Sequence, residues 1–529
     1  VTDESLMQLT LSHLLAVLAN PAAISLNTPS PATVSDLRSP ISDLRSPVSG
    51  LRSPVSDLRS PISTVVVDSR QVQPGAVFVA LAGERTNGHS FVTDALHRGA
   101  VAAIVEQDVV PDAECWIVDT RAFVLQHSAS SFSPPPTGRP LLLRVENSLQ
   151  ALQAWAAAWR ADVGAVSGLR VIGITGSVGK TSTKESVASV LARRFPTLKS
   201  VGNQNNEIGV PLTLLRLTPA DRRAVLEMGM YYLGDIALLA RLAQPQVGVI
   251  TNVGPVHLER AGSLERIAQA KGELIEALPA SGVAILNQDD PLVMALAPRS
   301  AARVFTYGLD SRADLWADEI SSEGQEGIRF ALHYEGDHLH VKVPMLGRHS
   351  VHTALRAAAV GLVEGLNWQE IIEGLQDVQA QLRLVVAPGL RGSMVIDDTY
   401  SASPAATLAA LNLLADLAVP SGARRIAVLG DMRELGDQTE IGHRKVGQRA
   451  ADVAGKLVAV GPLARLIAAE ALSAGMAPGN VAQVNDNAGA VAVLRSMVQS
   501  GDLILVKGSR ALHLEEIVAA LSRPESEDV

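Results

Sequence analysis

Cysteine, aromatic residues and an excess of basic charge are all scarce in this 529-residue chain. The single Cys115 excludes an intramolecular disulfide framework and a cysteine-rich zinc site, and fits a reducing, cytosolic compartment. Aromatics make up 3% of the residues, so Ala, Val and Leu must fill the cores, and an apolar content of 47% supplies enough of them. Lys and Arg number 45 against 54 Asp and Glu. The resulting charge of −9 has the wrong sign for a general nucleic-acid binder, whose affinity rests on a basic face. No stretch approaches the ~20 apolar residues of a membrane span. The opening segment VTDESLMQLTLSHLLAVLANP carries acids where a signal peptide carries positive charge, and it reads as a short amphipathic helix.

At roughly 100–200 residues per domain, the length suggests three or four domains. Between Ser35 and Ile62 a seven-residue unit recurs as SDLRSPI, SDLRSPV, SGLRSPV and SDLRSPI. Pro40, Pro47, Pro54 and Pro61 exclude the coiled coil that this period would otherwise suggest, because each removes a helix donor and clashes with the preceding turn. The segment 28–62 is expected to be a disordered insertion, as is SASSFSPPPTGRP at 128–140. Short apolar runs alternate with helical patterns over the remainder. They predict an α/β protein of three domains: an N-terminal domain over 1–148, a central domain with a P-loop-type parallel sheet over 149–381, and a C-terminal Rossmann-like domain over 382–529.

The strongest chemical signal is TGSVGKTS, comprising Thr175, Gly176, Ser177, Val178, Gly179, Lys180, Thr181 and Ser182. It departs from GxxxxGK[ST], since Ile174 occupies the first glycine position and Gly173 sits one place early. The physics still favours a phosphate cradle. Gly176 and Gly179 let backbone N–H groups turn inward, and the following helix N-terminus adds positive potential. Lys180 can neutralise phosphate oxygens and the Thr181 hydroxyl can ligate Mg²⁺. Glu227 in AVLEMG and His257 in TNVGPVHLE each follow a strand, where open α/β sheets bind their ligands. Either residue alone could equally be solvated or structural. Lys271 in AQAKGEL has by composition the look of an ordinary solvated helix lysine.

The order of these pieces resembles the Mur ligases, ATP-dependent amide-forming enzymes of peptidoglycan synthesis. VDSRQVQPGAVFVALAGERTNGHSF is similar to their uridine-nucleotide-binding domain, and TGSVGKTSTKE to their P-loop. NQNNEIGVPLTLL, VGPVHLERAGSLERIAQAKGEL, IDDTYSASP, VLGDMRELG and LVKGSR are similar to landmarks of the branch that adds D-alanyl-D-alanine. The resemblance implies joining of that dipeptide to UDP-N-acetylmuramoyl-tripeptide through an acyl phosphate, with ATP and Mg²⁺. It implies that the 175–182 loop, His349, Arg383 and Asp398 meet ATP. Thr181, Glu227, His257 and Lys271 would hold the metal, the lysine as its carbamate. Ser69 and Arg70 would meet the uridine end of the substrate, and Asn203, Asn205 and Asn206 its muramoyl part. It also implies a cytoplasmic monomer.

Four departures from the family pattern stand out. HNxxNA reads HSVHTA, with Ser350 and Thr353 at the amide positions. YNANP reads Tyr400-Ser401-Ala402-Ser403-Pro404, and Asn87 stands where an aspartate is usual. MGMYYLGDI after Glu227 lacks a histidine-containing form. A diamino-acid-adding relative would carry a DNPR signature, which is absent. A folylpolyglutamate synthase would share the P-loop and carbamylated lysine, but not the uridine-type domain. A non-catalytic nucleotide-binding scaffold is the alternative from another class, and Ser350, Thr353, Ser401 and Ser403 are its support. Whether lysine or a diaminopimelate is third in the stem peptide is open.

Overall fold

The computed structural model describes residues 7–19, 60–83, 86–112, 115–119, 140–256, 258–377 and 385–522. His257, Arg383, most of the heptad repeat and nearly all of 128–140 lie outside the described residues. Among the described residues no helix is long and apolar enough to cross a membrane. The chain forms two compact units, one of residues 1–170, 200–222 and 241–243, the other of 171–199, 223–240 and 244–529.

The first unit is built on a parallel sheet of β1 (Val65–Val66), β2 (Val77–Val79), β3 (Ala102–Val105), β4 (Trp116–Asp119) and β5 (Leu141–Arg144), in the order β1-β2-β3-β5-β4. The expected N-terminal helix is α1 (Leu11–Leu18), and the strand-to-helix passage after Leu141 leads into α2 (Ser148–Ser167). Asn147 caps α2 by accepting from Gln150 N at 2.8 Å, and Gly168 ends it in the left-handed conformation. Two tryptophans on α2 are buried, and each indole N–H finds an acceptor, as burial demands. Trp155 Nε1 donates to His13 Nδ1 on α1 (3.0 Å), and Trp159 Nε1 to the Leu217 carbonyl (2.9 Å).

The second unit holds two sheets. The nine-stranded central sheet contains β6 (Arg170–Thr175), β7 (Thr197–Lys199), β8 (Arg223–Glu227), β9 (Val247–Ile250), β10 (Val283–Asn287), β11 (Arg303–Gly308), β12 (Leu315–Ser322), β13 (Ile328–Tyr334) and β14 (Asp337–Val343). Its order is β14-β13-β12-β11-β10-β9-β6-β8-β7. The parallel core is as the strand–helix alternation predicts, and its central strands β6, β9 and β10 are buried along almost their whole length because both faces are covered. The sheet as a whole is mixed, however, since β12, β13 and β14 pair antiparallel. Glu335 and Gly336 between β13 and β14 both have positive φ, the geometry of a tight hairpin turn.

The topology fixes where ligands can bind. The chain passes from β6 outward to β7 and β8, then returns to the other side of β6 as β9. The carboxyl ends of β6, β8 and β9 therefore flank a topological switch point, the standard location of ligands in open α/β sheets. The C-terminal sheet is also doubly wound. Its strands are β15 (Val385–Pro388), β16 (Met394–Asp398), β17 (Arg425–Gly430), β18 (Lys456–Val460), β19 (Val481–Val484) and β20 (Leu503–Lys507), ordered β15-β16-β20-β17-β18-β19. Only β15 is antiparallel to its neighbour, and separate apolar cores cover the two faces.

Candidate active site

The phosphate loop leaves β6 at Thr175 and enters α3 (Lys180–Leu191). Gly176 has φ +144°, and a methyl group there would lie 1.8 Å from Thr251 Oγ1. Only glycine permits that approach. Gly179 has φ +85° and precedes the first residue of α3. The loop is pinned by the segment leaving β9. Asn252 Oδ1 accepts from Val178 N (3.0 Å), its Nδ2 donates to the Val178 carbonyl (2.9 Å), and its own carbonyl accepts from Ser177 N (3.0 Å). Thr251 Oγ1 also donates to the Val178 carbonyl, at 2.7 Å. Ser177 Oγ donates to the Gly254 carbonyl and accepts from Gly254 N. Lys180 Nζ folds back onto the Gly176 carbonyl at 2.9 Å.

The strand ends bring further predicted groups to this loop. Thr181 and Glu227 are buried, and the threonine hydroxyl donates to Glu227 Oε2 at 2.5 Å. Lys271 lies on α5 (Leu264–Glu276) and is only 3% exposed, the opposite of a solvated helix lysine. Burial pushes its pKa well below 10.5, and the positive charge of Lys180 adds to the shift. Two glycines explain how α5 comes so close. Gly173 on β6 and Gly248 on β9 are register partners. A methyl group on Gly173 would sit 2.8 Å from Leu274 Cδ1, and one on Gly248 would sit 3.2 Å from Leu274 Cγ. Leu274 follows Lys271 by three residues, on the same helix face.

Thr181 and Glu227 present hard oxygen donors of the kind Mg²⁺ takes. Among the described residues no three His, Cys, Asp or Glu side chains form a ready cage. That is consistent with Mg²⁺ chemistry, in which a carboxylate or two is supplemented by substrate phosphates and water. His257 belongs to this set only by resemblance, as it lies outside the described residues.

The other predicted residues have surroundings of their own. Asp398, at the end of β16, pairs with the buried Lys507 at 2.6 Å, and the same ammonium donates to the Ser401 carbonyl at 2.8 Å. His349 is exposed beside Arg348, Asn412, Asp416 and Arg449. In the first unit, the exposed Arg70 makes a two-pronged pair with Asp68 and lowers its pKa, while the buried Ser69 hydrogen-bonds Asp94. Asn206 Oδ1 accepts from Gly209 N (2.9 Å) at the start of α4 (Gly209–Leu214), and Asn203 and Asn205 lie in the same turn. Arg383 lies outside the described residues.

The departing residues make defined contacts. Asn87 Oδ1 accepts from His89 N (3.1 Å) and His89 Nδ1 (2.7 Å), a capping task that an aspartate would share. His89 Nε2 in turn accepts from Glu106 N, so the imidazole proton sits on Nδ1. Ser403 Oγ caps the helix Pro404–Asp416 through Ala406 N. Ser350 Oγ is committed to the Leu346 carbonyl, and Thr353 Oγ1 accepts from Arg356. Thr251, Asn252, Arg356 and Lys507 are further candidates that the fold brings forward. Lys507 carried a signal, since it is the lone charge in the apolar strand LILVK. Asn252 did too, as the polar residue that ends VGVITN.

Known proteins match the chain in three stretches. The family model for the Mur ligase family, catalytic domain, matches residues 61–160, that for the Mur ligase middle domain 174–361, and that for the Mur ligase, glutamate ligase domain 382–510. The UDP-N-acetylmuramoyl-tripeptide–D-alanyl-D-alanine ligase of Mycobacterium tuberculosis (strain ATCC 25618 / H37Rv) is 37% identical over 482 residues, covering 87% of this chain and 92% of its own. The Bacillus subtilis (strain 168) enzyme of the same name is 35% identical, covering 86% and 92%. Among solved structures, MurF from Acinetobacter baumannii superimposes with a TM-score of 0.73 at 30% identity, over 88% of this chain and 94% of that one. The MurF ligase of Thermotoga maritima, in complex with ADP, gives 0.69 at 27% identity, over 87% and 97%.

Proposed function

The chain belongs to the Mur ligase family and adds D-alanyl-D-alanine to UDP-N-acetylmuramoyl-tripeptide, and from this premise we propose how its residues perform the reaction. The γ-phosphoryl group of ATP passes to the terminal carboxylate of the tripeptide. The amine of D-alanyl-D-alanine then attacks the acyl phosphate, and phosphate leaves as the amide forms. Activation is required because a carboxylate is a poor electrophile. The observation that carries this reading is the convergence of Lys180, Thr181, Glu227 and Lys271 at one switch point.

Backbone N–H groups of the 176–179 loop and the N-terminus of α3 receive the phosphates. Lys180 exchanges its bond to the Gly176 carbonyl for a phosphate oxygen and neutralises charge as the phosphoryl group moves. Thr181 and Glu227, with His257, would hold Mg²⁺. The metal, when bound, supplies Lewis-acid stabilisation of the phosphoryl oxygens. Lys271, whose ammonium form is disfavoured first by burial and then by the charge of Lys180, is suited to react with CO₂, losing a proton and gaining a carbamate oxygen donor.

The proposal extends to the substrate ends. Ser69 and Arg70 meet the uridine nucleotide, Asn203, Asn205 and Asn206 the muramoyl part, and His349, Arg383 and Asp398 the ATP. We place functional divisions at 148/149 and 381/382; the start of the C-terminal match at 382 supports the second, while the first falls inside a match that runs from 61 to 160. Closure of the outer domains over the centre would keep water from the acyl phosphate. A cytoplasmic monomer is part of the same reading. The test is phosphate release with Mg-ATP and each candidate UDP-MurNAc-tripeptide, with and without D-Ala-D-Ala. Release that requires both, with the pentapeptide product seen by mass, supports the mechanism and identifies the third residue. ATP binding without release would instead indicate a nucleotide-binding scaffold.

A further inference from the structure

Arg356 projects from α6 (Val351–Val363) and is 4% exposed. Its hydrogen-bonding partners are neutral. Nη2 donates to Thr353 Oγ1 at 2.9 Å, and Nη1 to Tyr307 Oη at 3.4 Å. Among the described residues Nε is buried with no hydrogen-bond partner, and no carboxylate pairs with the guanidinium. A buried cation without a counter-charge is strongly unfavourable, so its persistence calls for an anion supplied from outside the chain. The direction in which it faces identifies that anion. A methyl group on Gly179 would lie 3.2 Å from Arg356 Nη2 and 3.9 Å from Cζ. The guanidinium therefore lies over the last glycine of the phosphate loop, at the N-terminus of α3. It is also fixed to the framework of that loop: Tyr307 Oη donates to the Thr251 carbonyl at 3.1 Å, and Thr251 Oγ1 donates to the Val178 carbonyl.

We propose that Arg356 is a direct ligand of the nucleotide's phosphate chain, an assignment that rests on the reading of 175–182 as the ATP site. The planar guanidinium can engage two phosphate oxygens at once, which Lys180, a point charge, cannot. Thr353 acquires a purpose here. Its hydroxyl, standing where the family pattern has an amide, aims the guanidinium at the loop. The expected partner is a polyphosphate group, with the nucleoside playing no part in this contact.

The assignment is tested by calorimetric titration of the full chain with inorganic tripolyphosphate, with a non-hydrolysable ATP analogue, and with adenosine as control. Arg356→Met should weaken tripolyphosphate and the ATP analogue by about tenfold or more, the scale of a lost charge-assisted hydrogen bond, and leave adenosine unchanged. Arg356→Lys should fall between. Thr353→Val, which frees the guanidinium without removing it, should weaken tripolyphosphate in the same direction, and it decides the matter if Arg356→Met does not fold. Unchanged tripolyphosphate affinity in the folded variants would overturn the assignment and leave Arg356 a prop for Tyr307. Lys180→Ala, run alongside, separates the two readings. If Lys180→Ala binds the ATP analogue normally, the phosphate-loop reading itself fails. If it loses affinity while the Arg356 variants keep theirs, only the role of Arg356 fails.

Discussion

Thr181 Oγ1 and Glu227 Oε2 lie 2.5 Å apart, one at the start of the phosphate-loop helix and the other at the end of the neighbouring strand. The bond joins the two elements across the switch point and orders two oxygen donors before any ligand arrives. Pre-ordered donors add nothing to the reorganisation required when charge develops. Glu227→Gln keeps the shape and the ability to accept from Thr181 but removes the negative charge. Turnover should fall about 100-fold or more, the scale of lost electrostatic stabilisation at an active site, with little change in melting temperature. Steady-state phosphate release and a thermal melt check both halves. A variant with wild-type turnover would remove Glu227 from the metal set.

Gly176 tests the geometry of the loop independently of its charges. An alanine there meets two obstacles at once, φ +144° and a Thr251 hydroxyl 1.8 Å away. The loop would have to move, breaking the bonds from Thr251 and Asn252 to Val178. Gly176→Ala should destabilise the protein by about 1–3 kcal/mol through overpacking and abolish the stabilisation that ATP confers. Thermal melts with and without ATP measure both. Normal ATP-induced stabilisation would show that the loop tolerates the displacement.

Much of this site was legible in the sequence, and the unread parts have physical reasons. The phosphate loop is contiguous, so its glycines, lysine and threonine announce themselves together. Glu227 is one acid at a strand end, and only the strand order shows that this end adjoins the loop. Lys271 looked bland because burial is a tertiary property. Its position depends on Gly173 and Gly248, which are 75 residues apart and paired only in the sheet. Arg356 was hidden among alanines in an apparently apolar helix for the same reason. The hairpin β13–β14, which turns at Glu335-Gly336, went unread because the strong strand–helix alternation before it favoured a parallel sheet.

The two sheet glycines yield a prediction about Lys271 that leaves the lysine untouched. Gly248→Val would push branched methyl groups into Leu274 and Leu278, displacing α5 outward. Turnover should drop about tenfold or more, since displacing a catalytic group by ~1 Å can cost up to 100-fold. Binding of ATP through the β6 loop should change far less. Separate measurement of kcat and ATP affinity distinguishes this from general unfolding, which would lower both. Equal losses in the two quantities would refute a specific role for the glycine.

Lys271 should carry opposite signs in stability and activity. Its folded pKa is depressed, first by burial and then by Lys180, while the unfolded chain returns it to about 10.5. Between those two values the unfolded state binds the extra proton, so stability falls as pH is lowered through that window. Below the folded pKa the penalty is complete. Lys271→Met removes the titrating group, so in CO₂-free buffer it should melt higher than wild type at low and neutral pH. The advantage should shrink as pH rises through the window and vanish above about 10.5. The same variant should be nearly inactive, and Lys271→Ala should be partly restored by small carboxylates that stand in for the carbamate. Melting curves across pH and activity assays with added formate or acetate check the two signs. A Met variant that melts lower at neutral pH would mean that the lysine supports the fold as an ammonium, and full activity in Lys271→Ala would end the carbamate proposal.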